Sequence, residues 1–94
     1  MTKPCTETER GRLEREIERL AAKRRQLDLA LGEFLHEGRR TRDALERVGG
    51  RDPALEAKAR RLSQNARMTR RELDETDRAI DALRRRLAAL GVGK

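Results

Sequence analysis

The chain has no tryptophan, no tyrosine and one phenylalanine, Phe34. With 35% hydrophobic residues in 94 positions, it lacks the bulk to fill a broad globular core. Its one cysteine, Cys5, has no partner within the chain, so an internal disulfide is excluded and a reducing cytoplasm is the expected setting. Only two prolines occur, Pro4 and Pro53, which leaves two long stretches that no imino acid interrupts. No apolar run approaches the ~20 residues of a membrane span, and no signal peptide opens the sequence. What is abundant is charge: 44% of residues are Asp, Glu, Lys or Arg, and the rest is rich in Leu and Ala. Such a mixture suits long helices that bury one narrow stripe and leave everything else in water.

The seam is written in the spacing of apolar and small residues. Steps of four and three run through Leu13, Ile17, Leu20, Arg24, Leu27, Leu31, Phe34, Gly38, Thr41, Leu45 and Val48. A second series runs through Leu55, Ala59, Leu62, Ala66, Thr69, Leu73, Thr76, Ile80, Leu83, Leu87 and Leu90. Both are heptad repeats without a stutter, the pattern of a left-handed supercoil. Between them stands Val48-Gly49-Gly50-Arg51-Asp52-Pro53. The glycines suit a left-handed helix stop, Asp52 an N-cap and Pro53 a first helical position. The predicted fold is therefore all-α and single-domain: helix 1 over about 6–48, a turn at 49–52 and helix 2 over about 53–90, forming an antiparallel coiled-coil hairpin. Pro4 with Thr6 or Thr8 opens the first helix, and Gly91 and Gly93 close the second.

A turn near residue 50 makes facing seam residues sum to 100, giving Leu45–Leu55, Gly38–Leu62, Phe34–Ala66, Leu27–Leu73 and Ile17–Leu83. In this register Glu14 faces Arg84, Glu16 faces Arg86, Asp28 faces Arg70 and Arg42 faces Glu56. A slip of one heptad would instead oppose Asp28 to Asp77 and Glu37 to Glu72. Each exposed pair is worth only about 0.2–1 kcal/mol, but all of them favour one alignment. Arg24 opposite Thr76 makes a polar layer that penalises misalignment.

No pattern for catalysis appears: no nucleophile–base–acid order, no metal-ligand spacing and no phosphate-binding glycine loop. No enzyme activity, cofactor or metal is expected. Asp77-Arg78-Ala79-Ile80-Asp81-Ala82-Leu83 resembles a helix of the all-helical chorismate mutases, but the rest of that family's pattern is missing. Two surfaces remain. From Ala57 to Arg71 there are six basic residues (Lys58, Arg60, Arg61, Arg67, Arg70 and Arg71) and no acid, and Arg39 and Arg40 lie across the hairpin. These suit phosphate or an acidic partner, so nucleic-acid binding is the alternative function, although no aromatics are interleaved to stack bases. The second surface is apolar: Leu29, Leu35 and Met68 add area beyond what a two-stranded seam needs, and with the seam residues Leu31 and Phe34 beside them they make the expected partner or dimer interface. A lone hairpin buries little, so self-association is expected, most economically as a homodimer forming a four-helix bundle.

The residues after the turn, Asp52-Pro53-Ala54-Leu55, together with an apolar C-terminal heptad, are similar to those of type III secretion needle subunits. The general architecture also resembles their small co-chaperones and the WXG-type secreted proteins, whose turn tryptophan is missing here. These resemblances imply a small helical component of a bacterial secretion or assembly system. From the residues themselves, the leading expectation is a non-enzymatic, cytoplasmic, bacterial interaction module that pairs with itself and holds another protein or helix.

Overall fold

Two helices account for nearly all of the described chain. The computed structural model describes residues 8–92, so Pro4, Cys5, Thr6 and Gly93 lie outside the described residues. Helix α1 spans Glu9–Arg47 and helix α2 spans Pro53–Val92. Thr8 caps α1 from an extended backbone, its Oγ1 accepting from the Gly11 N–H at 3.0 Å, and Glu9 sits in the first turn near the positive end of the helix dipole. The expected start near residue 6 lies outside the described residues.

The reversal is built from backbone hydrogen bonds. The Gly50 N–H donates to the Leu45 carbonyl at 2.8 Å and the Gly49 N–H to the Glu46 carbonyl at 3.1 Å, the paired bonds of a Schellman stop. Both glycines hold positive φ, 80° and 79°, where a side chain would be strained. Asp52 then begins α2. Its Oδ1 accepts from the Ala54 and Leu55 N–H groups at 3.0 and 3.2 Å, and Pro53 takes the position where a missing N–H costs nothing. At the far end α2 runs through Gly91 to Val92, beyond the expected stop near 90. The Arg10 guanidinium lies over Gly91, 3.5 Å from where a Cβ would stand, so the last turn is covered by the opposing helix.

The helices pack antiparallel along their length, giving a rod 68 Å long with a radius of gyration of 20.9 Å, against about 12 Å for a compact domain of this size. Phe34 and Gly38 share one groove with Leu62 and Ala66, as the sum of 100 requires. Ion pairs across the seam join Glu9 to Arg86 (3.1 Å), Arg24 to Asp77 (2.5 Å) and Glu37 to Lys58 (2.9 Å).

The register agrees with the sequence, but the individual charge partners do not. Arg86 takes Glu9 instead of Glu16, which pairs along its own helix with Arg19. Arg42 donates to the Gly38 carbonyl at 3.5 Å rather than to Glu56. Among the described residues, neither Glu14–Arg84 nor Asp28–Arg70 forms an ion pair. Long exposed side chains choose among several partners of nearly equal energy, so the sum of charges selects an alignment without selecting contacts. Arg24 likewise leaves the polar layer to reach Asp77, while Thr76 stays buried.

The best-buried positions are not simply the largest. Leu13, Leu20, Leu62, Leu73 and Ile80 are buried, and so are Gly38, Thr41, Thr69 and Thr76. Phe34, Leu27, Leu31 and Leu45 are only half-buried. Short side chains on the seam line are covered by the opposing helix, whereas longer ones reach past the edge of a two-helix layer. Among the described residues, no large side chain is fully buried.

Two glycine substitutions separate helix from turn. Neither Gly32 nor Gly50 would meet a neighbour within 4 Å on gaining a Cβ, but only Gly50 has positive φ. Gly32→Ala should therefore stabilise the hairpin by up to about 1 kcal/mol through helix propensity, and Gly50→Ala should destabilise it by about 1–2 kcal/mol. Urea melts at one fixed protein concentration measure both.

Candidate interaction surface

Because the seam is two residues wide, the hairpin has two broad sides, each reached by stepping one residue off the buried stripe. On one side lie Leu35, Arg42, Ser63, Arg70 and Asp77, each one position after a seam residue. On the other lie Glu37, Lys58, Asn65 and Glu72, each one position before one. The structure separates the two sets. Leu35, Arg42, Arg60 and Ser63 border the same groove, whereas Glu37 and Lys58 bridge the helices on the opposite side.

The groove holds about 340 Å³. Phe34, Leu35, Gly38, Ala59, Leu62 and Ala66 make it apolar, and Arg42, Arg60 and Ser63 line its edges. It exists because small residues face each other there. A Cβ on Gly38 would meet nothing closer than the Arg42 guanidinium at 3.9 Å, so the space above the glycine is open. Beside it, Ser63 and Ala66 border a shallower depression with Arg67 and Arg70. Among the described residues, none of Arg39, Arg60, Arg67 and Arg70 forms an ion pair.

The apolar residues expected at a partner interface do not form one patch. Phe34 and Leu35 come together in the groove, with Leu35 39% exposed. Leu31 is half-buried in the seam. Leu29 is 71% exposed and points outward from the back of α1. Met68, 61% exposed, lies five residues after Ser63, which turns it to the side opposite the groove.

The basic set divides in the same way. Arg60, Arg67 and Arg70 border the groove side together with Arg39. Arg40 and Arg61 are exposed toward the other side, where Lys58 is tied to Glu37. Arg71 faces outward on α2 beside Asp74, Glu75 and Arg78. A plain count of basic residues along α2 missed this split. Reading the same residues by heptad position would have found it, along with Arg42, Ala59 and Ser63 as groove residues.

A larger depression of about 660 Å³ near the open end is lined by Glu9, Arg12, Glu16, Arg19 and Arg86 around Leu13 and Leu83. Four of its charges are paired internally, Glu9 with Arg86 and Glu16 with Arg19. Among the described residues, no cluster of three or more His, Cys, Asp or Glu is placed to hold a metal ion, and no helix is long and apolar enough to cross a membrane. Compared with family models, curated protein sequences and solved structures, the chain matches none.

The Glu37–Lys58 bridge has a titration signature. The Lys58 hydrogen bond, and then its charge, hold the Glu37 carboxyl below its ordinary value. A depressed folded-state pKa gives stability that is present above the unfolded carboxyl's pKa and is lost as pH falls through the folded value. Carboxyl NMR titration should find Glu37 protonating at lower pH than an unpaired glutamate. Lys58→Gln should return it to the ordinary range and remove that part of the acid-side loss of stability.

Proposed function

We propose that the chain is a non-enzymatic coiled-coil interaction module that associates with itself and presents a groove for helical partners. The observation that carries this reading is its unfinished burial. The 10.8 kDa chain exposes 7346 Å², where a compact monomer of that mass would expose about 5,500 Å². Part of the excess is apolar: Leu29, Leu35, Val48, Met68 and Leu90 are exposed, and the groove beside Phe34 has an apolar lining. Packing a second hairpin against such a surface completes a core that two helices leave thin.

Sedimentation across a dilution series is the test. The mass should exceed that of one chain at micromolar concentration, and melting should shift with dilution. Leu35→Asn, which sets an unpartnered amide on the groove wall, should weaken association by about 1–3 kcal/mol. A single-chain mass at high micromolar concentration, with melting independent of dilution, would refute the proposal.

A second reading, nucleic-acid binding, draws on the arginines of the groove side, which among the described residues hold no carboxylate. It has its own signature. If about five of them neutralise phosphates, affinity for duplex DNA falls with salt at a log–log slope of roughly −4 to −5. The apolar lining between those arginines favours a protein partner, so the expected result is no measurable duplex binding at physiological salt. A micromolar complex under those conditions would reverse the ranking.

A further inference from the structure

Charge sets the groove apart from the depressions around it. The open-end depression is lined by Glu9 and Glu16, the one beside Arg24 by Asp77 and Asp81, and the one on the outer face of α2 by Asp74 and Glu75. No carboxylate lines the groove, whose charged residues are Arg42 and Arg60. None lines the shallower space that adjoins it at Ser63 and Ala66, where the charged residues are Arg67 and Arg70. The cationic stretch is bounded. Arg39, Arg42, Arg60, Arg67 and Arg70 each stand one position after a seam residue. The same positions turn acidic beyond them, at Glu46 and Glu56 toward the turn and at Asp28 and Asp74 toward the open end. Arg67 and Arg70 also border Asp74 and Glu75 on the outer face, yet among the described residues none of the five arginines forms an ion pair. From Arg60 to Arg70 the window runs about 15 Å, nearly three helical turns.

We infer that the helical partner this groove takes is an acidic amphipathic helix of another protein, its large apolar residues in the groove and its carboxylates on the arginine rim. The inference rests on the groove for helical partners proposed above and names the partner's chemistry. The floor sets the apolar half of that chemistry, since Phe34, Gly38, Ala59, Leu62 and Ala66 offer nothing polar from their side chains. Its 340 Å³ is about twice the roughly 150 Å³ that takes in one benzene ring, which gives room for two large side chains. On a helix such side chains recur at i, i+3 or i+4, and i+7, so they fall within the same three turns. Small Gly38, Ala59 and Ala66 let the axis of a third helix come close. The rim sets the sign. Residues flanking those anchors fall near Arg60 and Arg67 on one helix and Arg39 and Arg42 on the other. Carboxylates there form charge-assisted hydrogen bonds, whereas lysines meet like charge. Nucleic-acid phosphates would satisfy the rim but leave the apolar floor in water. Leu35 also belongs to the surface assigned to self-association, so the partner helix and a second copy compete.

Three synthetic helices of about fourteen residues, roughly four turns, test this. Each carries leucines at i, i+3 and i+7 and a cross-link on its outer face that holds the helix. They differ only in the flanking residues, which are glutamate, glutamine or lysine. Thermophoresis of the hairpin, labelled at Cys5 and held dilute, follows each titration. The glutamate helix should bind at least ~10-fold more tightly than the glutamine helix, with the lysine helix weakest, and added salt should narrow the gap. At higher hairpin concentration it should lower the self-associated mass. Arg60→Gln/Arg67→Gln should bring the glutamate and glutamine helices to within ~3-fold of each other. Arg40→Gln/Arg61→Gln, the same change of charge on the opposite side, should keep the preference. All four arginines are exposed, and circular dichroism checks that both variants fold. Equal binding of the three helices would overturn the acidic partner and leave a groove for helices standing. Binding of none would overturn both, while sedimentation judges self-association separately. A preference that survives Arg60→Gln/Arg67→Gln, or is lost equally in both variants, would refute the assignment to the groove rim. Displacement of the glutamate helix by duplex DNA at physiological salt would give these arginines to phosphate and overturn the protein partner.

Discussion

The alignment of the two helices depends on the five residues from Val48 to Asp52. A heptad seam by itself resists sliding only weakly, through its few polar and small layers and its exposed flanking charges. The reversal removes that freedom. Two positive-φ glycines end α1 with the Gly50 and Gly49 N–H groups on the Leu45 and Glu46 carbonyls. Asp52 starts α2 without slack, so Leu45 and Leu55 flank the turn. Every later coincidence follows from that origin, including small Gly38 beside Leu62 and Lys58 within reach of Glu37.

Register in turn creates the groove. Were Gly38 opposite alanine, or Phe34 opposite leucine, the seam would be uniformly thin or uniformly full. Instead Phe34 and Leu35 form a wall beside a stretch of small residues, Gly38, Ala59, Ser63 and Ala66, and the space between is left open. Protein interiors pack to crystal-like density, so this open recess leaves its apolar lining short of packing partners within the hairpin.

The architecture was legible in the sequence because it is encoded redundantly. Period, glycines, N-cap and the balance of flanking charge all point to one hairpin. The ion pairs were not, because Glu9, Glu16 and Arg19 offer arrangements that differ by less than the energy of one exposed contact. The candidate surface fell between these cases. Phe34 and Leu35 were identifiable as apolar excess, and the structure joins them in one groove. Leu29 and Met68 look alike on composition but point in other directions, since an outward leucine on α1 and a methionine five residues past Ser63 share neither side nor neighbour. Angle around the helix, not distance along it, sorts these residues, and a running count of charge or hydrophobicity discards that angle.

The antiparallel course also has a consequence for attachment. Glu9 and Arg86 meet at one end, and Arg10 covers Gly91 there, so both helix ends emerge together with the turn at the opposite tip. The groove near Leu62 lies about 45 Å from Val92 at a 1.5 Å rise per residue. Anything joined to either end of the hairpin therefore hangs from the same tip, clear of both broad sides.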